Sequence, residues 1–302
     1  MGGFAKRCIT VAVTRLKTAV GVHWFGPFYN CLMTPDAAHV ASVFSALSGG
    51  DVLLVDRLSG GSGTPSWRVT TPEGVYAARL YSNSHTTTAY GQAKLLSYLA
   101  EKSYPVPEVA FVGSYQAQHL LALDWVDGLT VAEALRAQPD QAEWFGQTFG
   151  KAHAQLHAVP VTPEMHATLH NIREPELPAD TAVLLHLDYH LLNVMTDGSV
   201  VTGVIDWENV RLGDARYDMA RSLSILCADP SIRALPGALR QVVRRFRRGY
   251  LSGYQQAAGQ DAATKLEPFL EWAGNFMLED LGGRFDSRAV ASIERWTRWW
   301  QS

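Results

Sequence analysis

The spacing of hydrophobic residues divides the chain into a strand-rich first part and a helix-rich second part. In the first part, short runs of β-branched and aromatic residues alternate with turn-forming glycine, serine and proline, which predicts strands. The predicted strands lie at residues 51–58, 66–71, 74–81, 109–115 and 119–125. Apolar residues at helical spacing predict one helix that begins at Thr34-Pro35-Asp36 and a second helix at residues 87–102.

From Leu129 onward, the pattern is mostly helical. The predicted helices lie at residues 141–157, 217–227, 236–257, 262–281 and 287–300. A β-rich island at residues 183–210 interrupts them. The predicted fold class is therefore α+β, with a small sheet-rich lobe at residues 34–126 and a larger, mostly helical lobe at residues 127–302.

Composition and cysteine content narrow the class of protein. The chain has 302 residues and a formal net charge of −3, which predicts neither nucleic acid nor a membrane as a partner. Its three cysteines, Cys8, Cys31 and Cys227, are widely spaced and favour a reducing compartment, so we expect the cytoplasm. Residues 1–33 begin like a secretion signal, but Arg15 interrupts the apolar run. We expect this segment to be an extension outside the folded core.

The β-rich island contains an ordered set of oxygen-bearing side chains. Residues 186–193 read HLDYHLLN, and Asp206 follows in the sequence VIDWEN. Phosphoryl transfer requires a cradle for ATP, divalent cations on its phosphates and a carboxylate near the acceptor hydroxyl. Asp188 could receive the proton of that hydroxyl, while Asn193 and Asp206 could bind Mg²⁺ through oxygen. This order of residues therefore indicates a kinase-type reaction.

These motifs resemble those of the aminoglycoside phosphotransferase and choline kinase-like family, whose pattern is HGDLHxxN followed by IDWE and GDPxxDLA. In this chain IDWE stands at residues 205–208 and GDARYDMA at residues 213–220. The resemblance implies a bilobal, protein-kinase-like fold with an antiparallel sheet in the smaller lobe. It also implies transfer of the γ-phosphate of ATP to a hydroxyl of a small molecule, with Mg²⁺ as the metal and GTP as the alternative donor.

The resemblance further implies roles for individual residues. Asp188 is expected to be the catalytic base, Asn193 and Asp206 the magnesium ligands, and His186 the residue that positions the loop. Asp218 is expected to hold this loop from the following helix. The residues expected to bind the nucleotide are Ser59, Gly60, Gly61, Ser62 and Gly63 in a flexible turn over the phosphates, Arg79 on a strand, and Asp124, Trp125 and Val126 beside the adenine.

Three positions depart from the usual pattern. Arg79 stands where kinases usually carry a strand lysine, and its guanidinium can still clamp two phosphate oxygens. Gln92 stands where the partner helix normally supplies a glutamate, and Leu187 replaces the glycine after the motif histidine. We expect activity to survive these changes. The alternative is a nucleotide-binding pseudokinase or scaffold without catalysis.

The acceptor is less well defined. The resemblance implies that the residues contacting the acceptor follow the two strands that carry HLDYHLLN and IDWE, called here the catalytic hairpin. The acidic candidates are Glu208, Glu271, Glu279, Asp280 and Asp286. Residues 211–302 contain 14 Lys or Arg and 10 Asp or Glu, so they lack the acidic surplus expected for a polycationic antibiotic. Homoserine, choline, methylthioribose, a sugar and a macrolide remain alternatives to an aminoglycoside.

Two further clusters of side chains stand out. His153 and His157 lie four residues apart on a predicted helix, a spacing that can bind a metal, but we expect them to pack against the catalytic hairpin. Four arginines on or near one helical face could meet an anion, although we expect a solvated face. They are Arg240, Arg244, Arg247 and Arg248.

Overall fold

The computed structural model of the protein describes residues 36–58, 64–82, 86–116, 118–172, 182–281 and 286–300. The predicted extension at residues 1–33 and the predicted flexible turn at residues 59–63 lie outside the described residues. None of the helices in this described part has the length and apolar content that a bilayer-spanning helix requires.

A five-stranded antiparallel sheet forms the first part of the chain. Its strands are β1 (Leu54–Arg57), β2 (Ser66–Thr70), β3 (Val75–Ser82), β4 (Val109–Tyr115) and β5 (Gln118–Asp124), in the order β1-β2-β3-β5-β4. Two helices accompany it, α1 (Ala37–Ser48) and α2 (Thr86–Glu101). The predicted strands are therefore confirmed, with bounds that shift by a few residues. The N-cap of α1 is Asp36, which accepts a hydrogen bond from His39 N.

The two faces of the sheet are buried against different helices. On one face, Leu120 of β5 packs in a cluster with Phe44 of α1. On the other face, Leu121 packs with Leu96 of α2 and with side chains of the second part of the chain. Because neighbouring strand residues point to opposite faces, a continuous apolar strand such as β5 is buried on both sides. β3, the neighbour of β5, is the central strand of the five.

The second part of the chain is mostly helical. Its helices are α3 (Val131–Ala137), α4 (Ala142–His157), α5 (Pro163–Thr168), α6 (Ala215–Ala228), α7 (Pro230–Ala234), α8 (Gly237–Ala258), α9 (Glu267–Leu281) and α10 (Ser287–Arg298). Its short strands are β6 (Leu129–Thr130), β7 (Val183–Leu185), β8 (Val194–Thr196), β9 (Val201–Val204) and β10 (Arg211–Gly213). They form two small antiparallel sheets, β6-β8-β9 and β10-β7. The predicted α+β class is confirmed.

One helix boundary was predicted wrongly. A helix was expected from residue 262 to residue 281, but residues Gln260–Ala263 form a separate 3-10 turn and α9 begins at Glu267. Lys265, between them, has a φ angle of 54°, which no right-handed helix accommodates. Pro268 then stands in the first turn of α9, a position that favours a helix start. The apolar spacing therefore continues across residues where the helix is interrupted.

Helices α4 and α8 are in direct backbone contact because glycines face each other across them. A Cβ atom added to Gly150 of α4 would lie 2.1 Å from the carbonyl oxygen of Tyr250. A Cβ atom added to Gly253 of α8 would lie 2.1 Å from the carbonyl oxygen of Gln147. Such contacts leave no room for any side chain. The close approach brings the His153 side of α4 against the tyrosines of α8.

This helix contact predicts a clear difference between two glycine substitutions. Gly150→Ala is expected to lower the free energy of unfolding by about 2 kcal/mol or more, because the added methyl group overlaps a backbone oxygen. Gly237→Ala, at the first position of α8, meets nothing within 4 Å among the described residues and is expected to leave stability unchanged or slightly raised. Urea unfolding of both variants measures the difference. Equal stabilities would contradict the proposed backbone contact.

Candidate active site

The loop between β7 and β8, residues 186–193, is called here the motif loop, and Asp218 of α6 holds its start. One oxygen of Asp218 accepts a hydrogen bond from His186 N at 2.6 Å, and the other accepts one from Leu187 N at 2.8 Å. Leu187 has a φ angle of 59°, an unusual value for a residue other than glycine. Its buried side chain packs with Leu185 and Tyr217, and this apolar contact offsets the backbone strain.

Asp188 lies at the centre of a hydrogen-bond network within the motif loop. Its backbone N–H donates to His186 Nδ1 at 3.2 Å, and His186 Nε2 lies 3.1 Å from the carbonyl oxygen of Ile205. Its carboxylate accepts a hydrogen bond from Asn193 Nδ2 at 3.0 Å and lies 3.5 Å from His190 Nε2. The carboxylate is thereby held in one orientation.

The protonation state of Asp188 follows from its neighbours. Burial by itself raises the pKa of this carboxyl, but the contact with His190 and the positive charge of Arg221 outweigh burial and lower the pKa to about 2. Asp188 is therefore ionised at neutral pH. Burial lowers the pKa of His186, so this imidazole is neutral and can accept the hydrogen bond from Asp188 N.

Asn193 and Asp206 are brought together by the hairpin of β8 and β9. The backbone N–H of Ile205 donates to the carbonyl oxygen of Asn193 at 2.9 Å, which places Asn193 beside the residue that precedes Asp206. Asp206 has a φ angle of 70°, a left-handed conformation that aspartate and asparagine tolerate better than most residues. The side-chain amide of Asn193 and the carboxylate of Asp206 therefore offer oxygen atoms at the same end of the hairpin.

Arg79 of β3 joins the sheet to this end of the hairpin. Its guanidinium donates to Asp206 Oδ1 at 3.0 Å and to Glu208 Oε1 at 3.1 Å. Burial opposes the charge on Arg79, but the carboxylates of Asp206 and Glu208 outweigh burial and raise the pKa of Arg79. The backbone N–H of Thr64 also points to Glu208 Oε1 at 3.4 Å. A cation, two carboxylates and the backbone of Thr64 thus meet between the two parts of the chain.

Gln92 does not occupy the position expected for a partner of Arg79. Its Oε1 accepts a hydrogen bond of 2.7 Å from the hydroxyl of Tyr81, two residues after Arg79 on β3. Burial raises the pKa of Tyr81 to about 12, so this hydroxyl stays protonated and remains a donor. Arg79 therefore takes its partners from the IDWE segment, and the sequence prediction did not include Tyr81.

The remaining predicted site residues fall into three groups: backbone groups already hydrogen-bonded within the sheet, acidic side chains that contact other protein groups, and acidic side chains at the surface. The N–H groups of Asp124 and Trp125 already donate to Glu108 O and Val75 O, so an adenine contact from this segment would use Val126 or carbonyl oxygens. Among the predicted acceptor contacts, Glu208 lies against Arg79, Asp280 pairs with Arg221 at 3.3 Å, and Asp286 caps α10 through Ala289 N. Glu271 is partly exposed and Glu279 is exposed, both on α9.

Two residues near Asp188 were not predicted from the sequence. His190 belongs to the HLDYHLLN motif, and its place in that motif is a signal that could have identified it. Arg221 is buried one turn after Asp218 on α6, and its positive charge lowers the pKa of Asp188. No local pattern distinguishes Arg221 from an exposed helical arginine.

The two histidines of α4 complete the surroundings of Asp218. His153 Nε2 lies 3.1 Å and His157 Nε2 lies 3.3 Å from Asp218 Oδ2. The ring of His153 also stacks on Tyr189 of the motif loop, with 4.0 Å between ring centroids, so the predicted packing against this segment is confirmed for His153. The three side chains could surround a metal ion. The other ring nitrogens contact tyrosines of α8: His153 Nδ1 lies 2.9 Å from the Tyr250 hydroxyl and His157 Nδ1 lies 2.7 Å from the Tyr254 hydroxyl. Because both oxygens of Asp218 already accept hydrogen bonds from the motif loop, we assign the cluster to a hydrogen-bond network that holds this loop.

This network predicts a pH-dependent stability. Burial lowers the pKa of His153 from 6.5 to about 4, against the opposing attraction of Asp218. Between these two values the unfolded chain binds a proton that the folded chain does not, so stability falls as the pH drops from 6.5 to 4, by up to about 3 kcal/mol. Urea unfolding across this range should show a shallower slope for His153→Gln and the wild-type slope for His166→Gln, whose histidine is exposed. Parallel curves for all three proteins would contradict the assignment.

Comparison with known proteins identifies the relatives of this arrangement. The model of the phosphotransferase enzyme family (APH) matches residues 55–168 and 162–262. A search of curated protein sequences found no match. The solved structure of aminoglycoside phosphotransferase APH(4)-Ia is similar, with a TM-score of 0.61 and 17% identity over 87% of this chain and 99% of that chain.

Two further solved structures share the fold at low sequence identity. Spectinomycin phosphotransferase APH(9)-Ia, in a structure with ADP and spectinomycin, has a TM-score of 0.54 and 12% identity over 87% of this chain and 95% of that chain. A putative fructosamine-3-kinase from Haemophilus somnus has a TM-score of 0.51 and 13% identity over 87% of this chain and 97% of that chain.

Proposed function

Because this chain belongs to the phosphotransferase enzyme family, we propose that it transfers the γ-phosphate of ATP to a hydroxyl group of a small molecule. One observation carries this proposal. Arg79, Asp188, Asn193 and Asp206 are spread over more than 100 residues of sequence, yet they gather at the junction of the sheet and the helical part. Related structures that contain ADP or AMP-PNP together with hygromycin B support a nucleotide and a small-molecule acceptor.

Asp188 orients the acceptor and takes its proton. With a pKa of about 2, Asp188 is ionised and can accept a hydrogen bond from the hydroxyl. An alcohol is about as acidic as water and far less acidic than a carboxyl group, so deprotonating it beforehand is strongly unfavourable. The proton therefore moves to Asp188 only as the new O–P bond forms. At the same time the bond from the γ-phosphorus to the bridging oxygen breaks, and ADP leaves.

The donor set fits a magnesium ion. Asp206 offers a carboxylate and Asn193 an amide oxygen, the ligand types that hard divalent cations prefer. When bound, Mg²⁺ would neutralise charge on the phosphates. Asn193 also donates to Asp188, so it links the metal side of the site to the acceptor side. Arg79 has two carboxylate partners that it can exchange for phosphate oxygens, which are acceptors of the same kind.

The division of labour along the chain follows from this arrangement. We propose that residues 34–126 bind the nucleotide, with GTP as an alternative donor, and that residues 127–302 carry the catalytic and acceptor-binding groups. The end of the sheet at Asp124 and the start of β6 at Leu129 support this boundary.

A cytoplasmic location is supported by the cysteine pattern, and Cys227 is a free thiol.

An acceptor panel tests the proposal. Wild-type protein with ATP and Mg²⁺ is incubated with an aminoglycoside, homoserine, choline, methylthioribose, a sugar and a macrolide, and mass spectrometry detects the phosphorylated product. One acceptor is expected to gain a phosphoryl group, and its deoxy analogue, which lacks the target hydroxyl, is expected to gain none. If ATP binds but no acceptor is phosphorylated, and ATP hydrolysis by wild type equals that by Asp188→Asn, the pseudokinase alternative is favoured.

A further inference from the structure

A cavity of about 330 Å³ lies between α6, α7, α8 and α10. Its apolar surface comes from the ends of α6 and α7 and from α8, and Trp296 of α10 forms an aromatic wall. The charged part of the lining consists of Arg233 of α7 and, on α8, Arg240, Arg244 and Arg247. The three arginines of α8 are spaced by four and three residues, so they project from one face of the helix.

The charges around this cavity are not balanced. Nine residues line it, four of them are arginines and none is acidic. Arg247 donates to Cys227 Sγ at 3.0 Å, a weak acceptor. Within the described part of the chain, none of the four arginines forms an ion pair with a carboxylate. Arg233, Arg240 and Arg244 are exposed, as expected for a solvated face, so water screens their mutual repulsion. Their charges still add to a positive potential at one concave surface, which attracts an anion.

The other face of α8 provides an internal comparison. Arg248 pairs with Glu143 at 3.4 Å, and Arg245 donates to the carbonyl oxygen of Pro139 at 3.0 Å. Both contacts hold α8 to the start of α4, so these two arginines have a structural role. The sequence pattern placed Arg248 on the same helical face as Arg240, Arg244 and Arg247, but in the structure Arg248 does not line the cavity. The arginines on one face of α8 therefore bind to neighbouring protein groups, and those on the other face line the cavity.

The cavity is separate from the candidate phosphotransfer site. Asp218 lies near the start of α6, whereas Cys227, in the cavity lining, lies nine residues further along the same helix. At 1.5 Å per residue this is about 14 Å along the helix axis. The N-terminus of α8 adds to the positive potential near Arg240, because the first turn of this 22-residue helix carries partial positive charge and has no side-chain cap.

We propose that this cavity binds a small organic phosphate. Guanidinium groups from two helices offer the forked donors that phosphate oxygens accept. The neighbouring apolar surface and Trp296 offer contact to an apolar or aromatic group on the same molecule. The volume is sufficient for a phosphate group joined to one ring and insufficient for a folded polypeptide segment. The site thus differs in chemistry from the acidic groups that the motif loop and the IDWE segment present.

Phenyl phosphate is the probe that tests this site. Isothermal titration is performed in EDTA with the full chain, and phenol serves as the uncharged comparison. The test variant is Arg240→Gln with Arg244→Gln, and the matched control is Arg245→Gln with Arg248→Gln, which removes the same charge from the other face of α8. Arg79→Ala controls for binding at the candidate phosphotransfer site. Unfolding midpoints establish that each variant is folded.

The expected result is that wild type binds phenyl phosphate and does not bind phenol. The Arg240 and Arg244 double variant should weaken binding about tenfold or more, since two charged hydrogen bonds are lost. The Arg245 and Arg248 double variant and Arg79→Ala should bind within about twofold of wild type. The proposal is overturned if wild type does not bind at roughly 10 mM probe, if both double variants weaken binding equally, or if Arg79→Ala abolishes it. Phenol binding as strong as that of phenyl phosphate overturns it as well.

Discussion

The Asp188→Asn variant is expected to bind ATP as wild type does and to transfer phosphate about a thousandfold more slowly, within the range that one positioned acid–base group contributes. Asparagine has the same shape as aspartate, so the contacts with Asn193 and His190 can be largely retained. It cannot take up the proton of the acceptor hydroxyl. The loss should therefore appear in kcat, and the KM for ATP should change little. Steady-state kinetics with the acceptor identified by the panel measures both.

A matched substitution separates this effect from a general loss of charge. Asp197 lies in the exposed turn between β8 and β9, where it accepts hydrogen bonds from Ser199 and Val200. Asp197→Asn removes the same charge at the far end of β8 and is expected to keep kcat within about twofold of wild type. A kcat for Asp188→Asn within tenfold of wild type would show that another group takes the proton.

In the presence of Mg²⁺, the Asp206→Asn variant is expected to bind ATP about a hundredfold or more weakly than wild type, because it loses a ligand of the metal. Residues that only support a metal ligand already contribute ten- to a hundredfold to metal affinity or activity. Asparagine is the suitable replacement because Asp206 has a φ angle of 70°, which asparagine tolerates and alanine does not. The change thus removes one negative charge without straining the backbone. Titrations of ATP with and without Mg²⁺ measure the effect.

The same titrations contain their own control. Without Mg²⁺, Asp206→Asn should bind ATP as well as wild type or better, because Arg79 loses one of its two carboxylate partners and becomes available to phosphate. A structural defect would weaken binding under both conditions. An unchanged effect of Mg²⁺ on ATP binding would argue against Asp206 as a metal ligand.

Local patterns predicted most of the secondary structure. The strand expected at residues 66–71 is Ser66–Thr70, and the helix expected at residues 141–157 is Ala142–His157. These elements bury one stripe or one face, so their hydrophobic spacing reports directly on their geometry. The start of α9 was predicted wrongly because apolar spacing carries no information about the positive φ angle of Lys265.

The candidate site was partly accessible from the sequence for the same reason. His186, Asp188 and Asn193 belong to one short loop, so their proximity follows from chain connectivity. The contact between Arg79 and Asp206 spans 127 residues, and nothing local distinguishes it from the expected contact between Arg79 and Gln92. Gln92 instead contacts Tyr81, since a neutral amide competes poorly for a guanidinium when two carboxylates are within reach.

The order and chemical types of the side chains were enough to indicate the fold class, the family and the reaction, because hydrophobic spacing and short motifs can be read without knowing which segments touch. Folding decided which charges meet across long distances. It gave Asp218 two buried histidines and the N–H groups of the motif loop. It also separated the arginines of α8 into a paired face and an unpaired one. Such contacts depend on how α4, α6 and α8 pack together, and helical periodicity does not specify the partner that a helix face will meet.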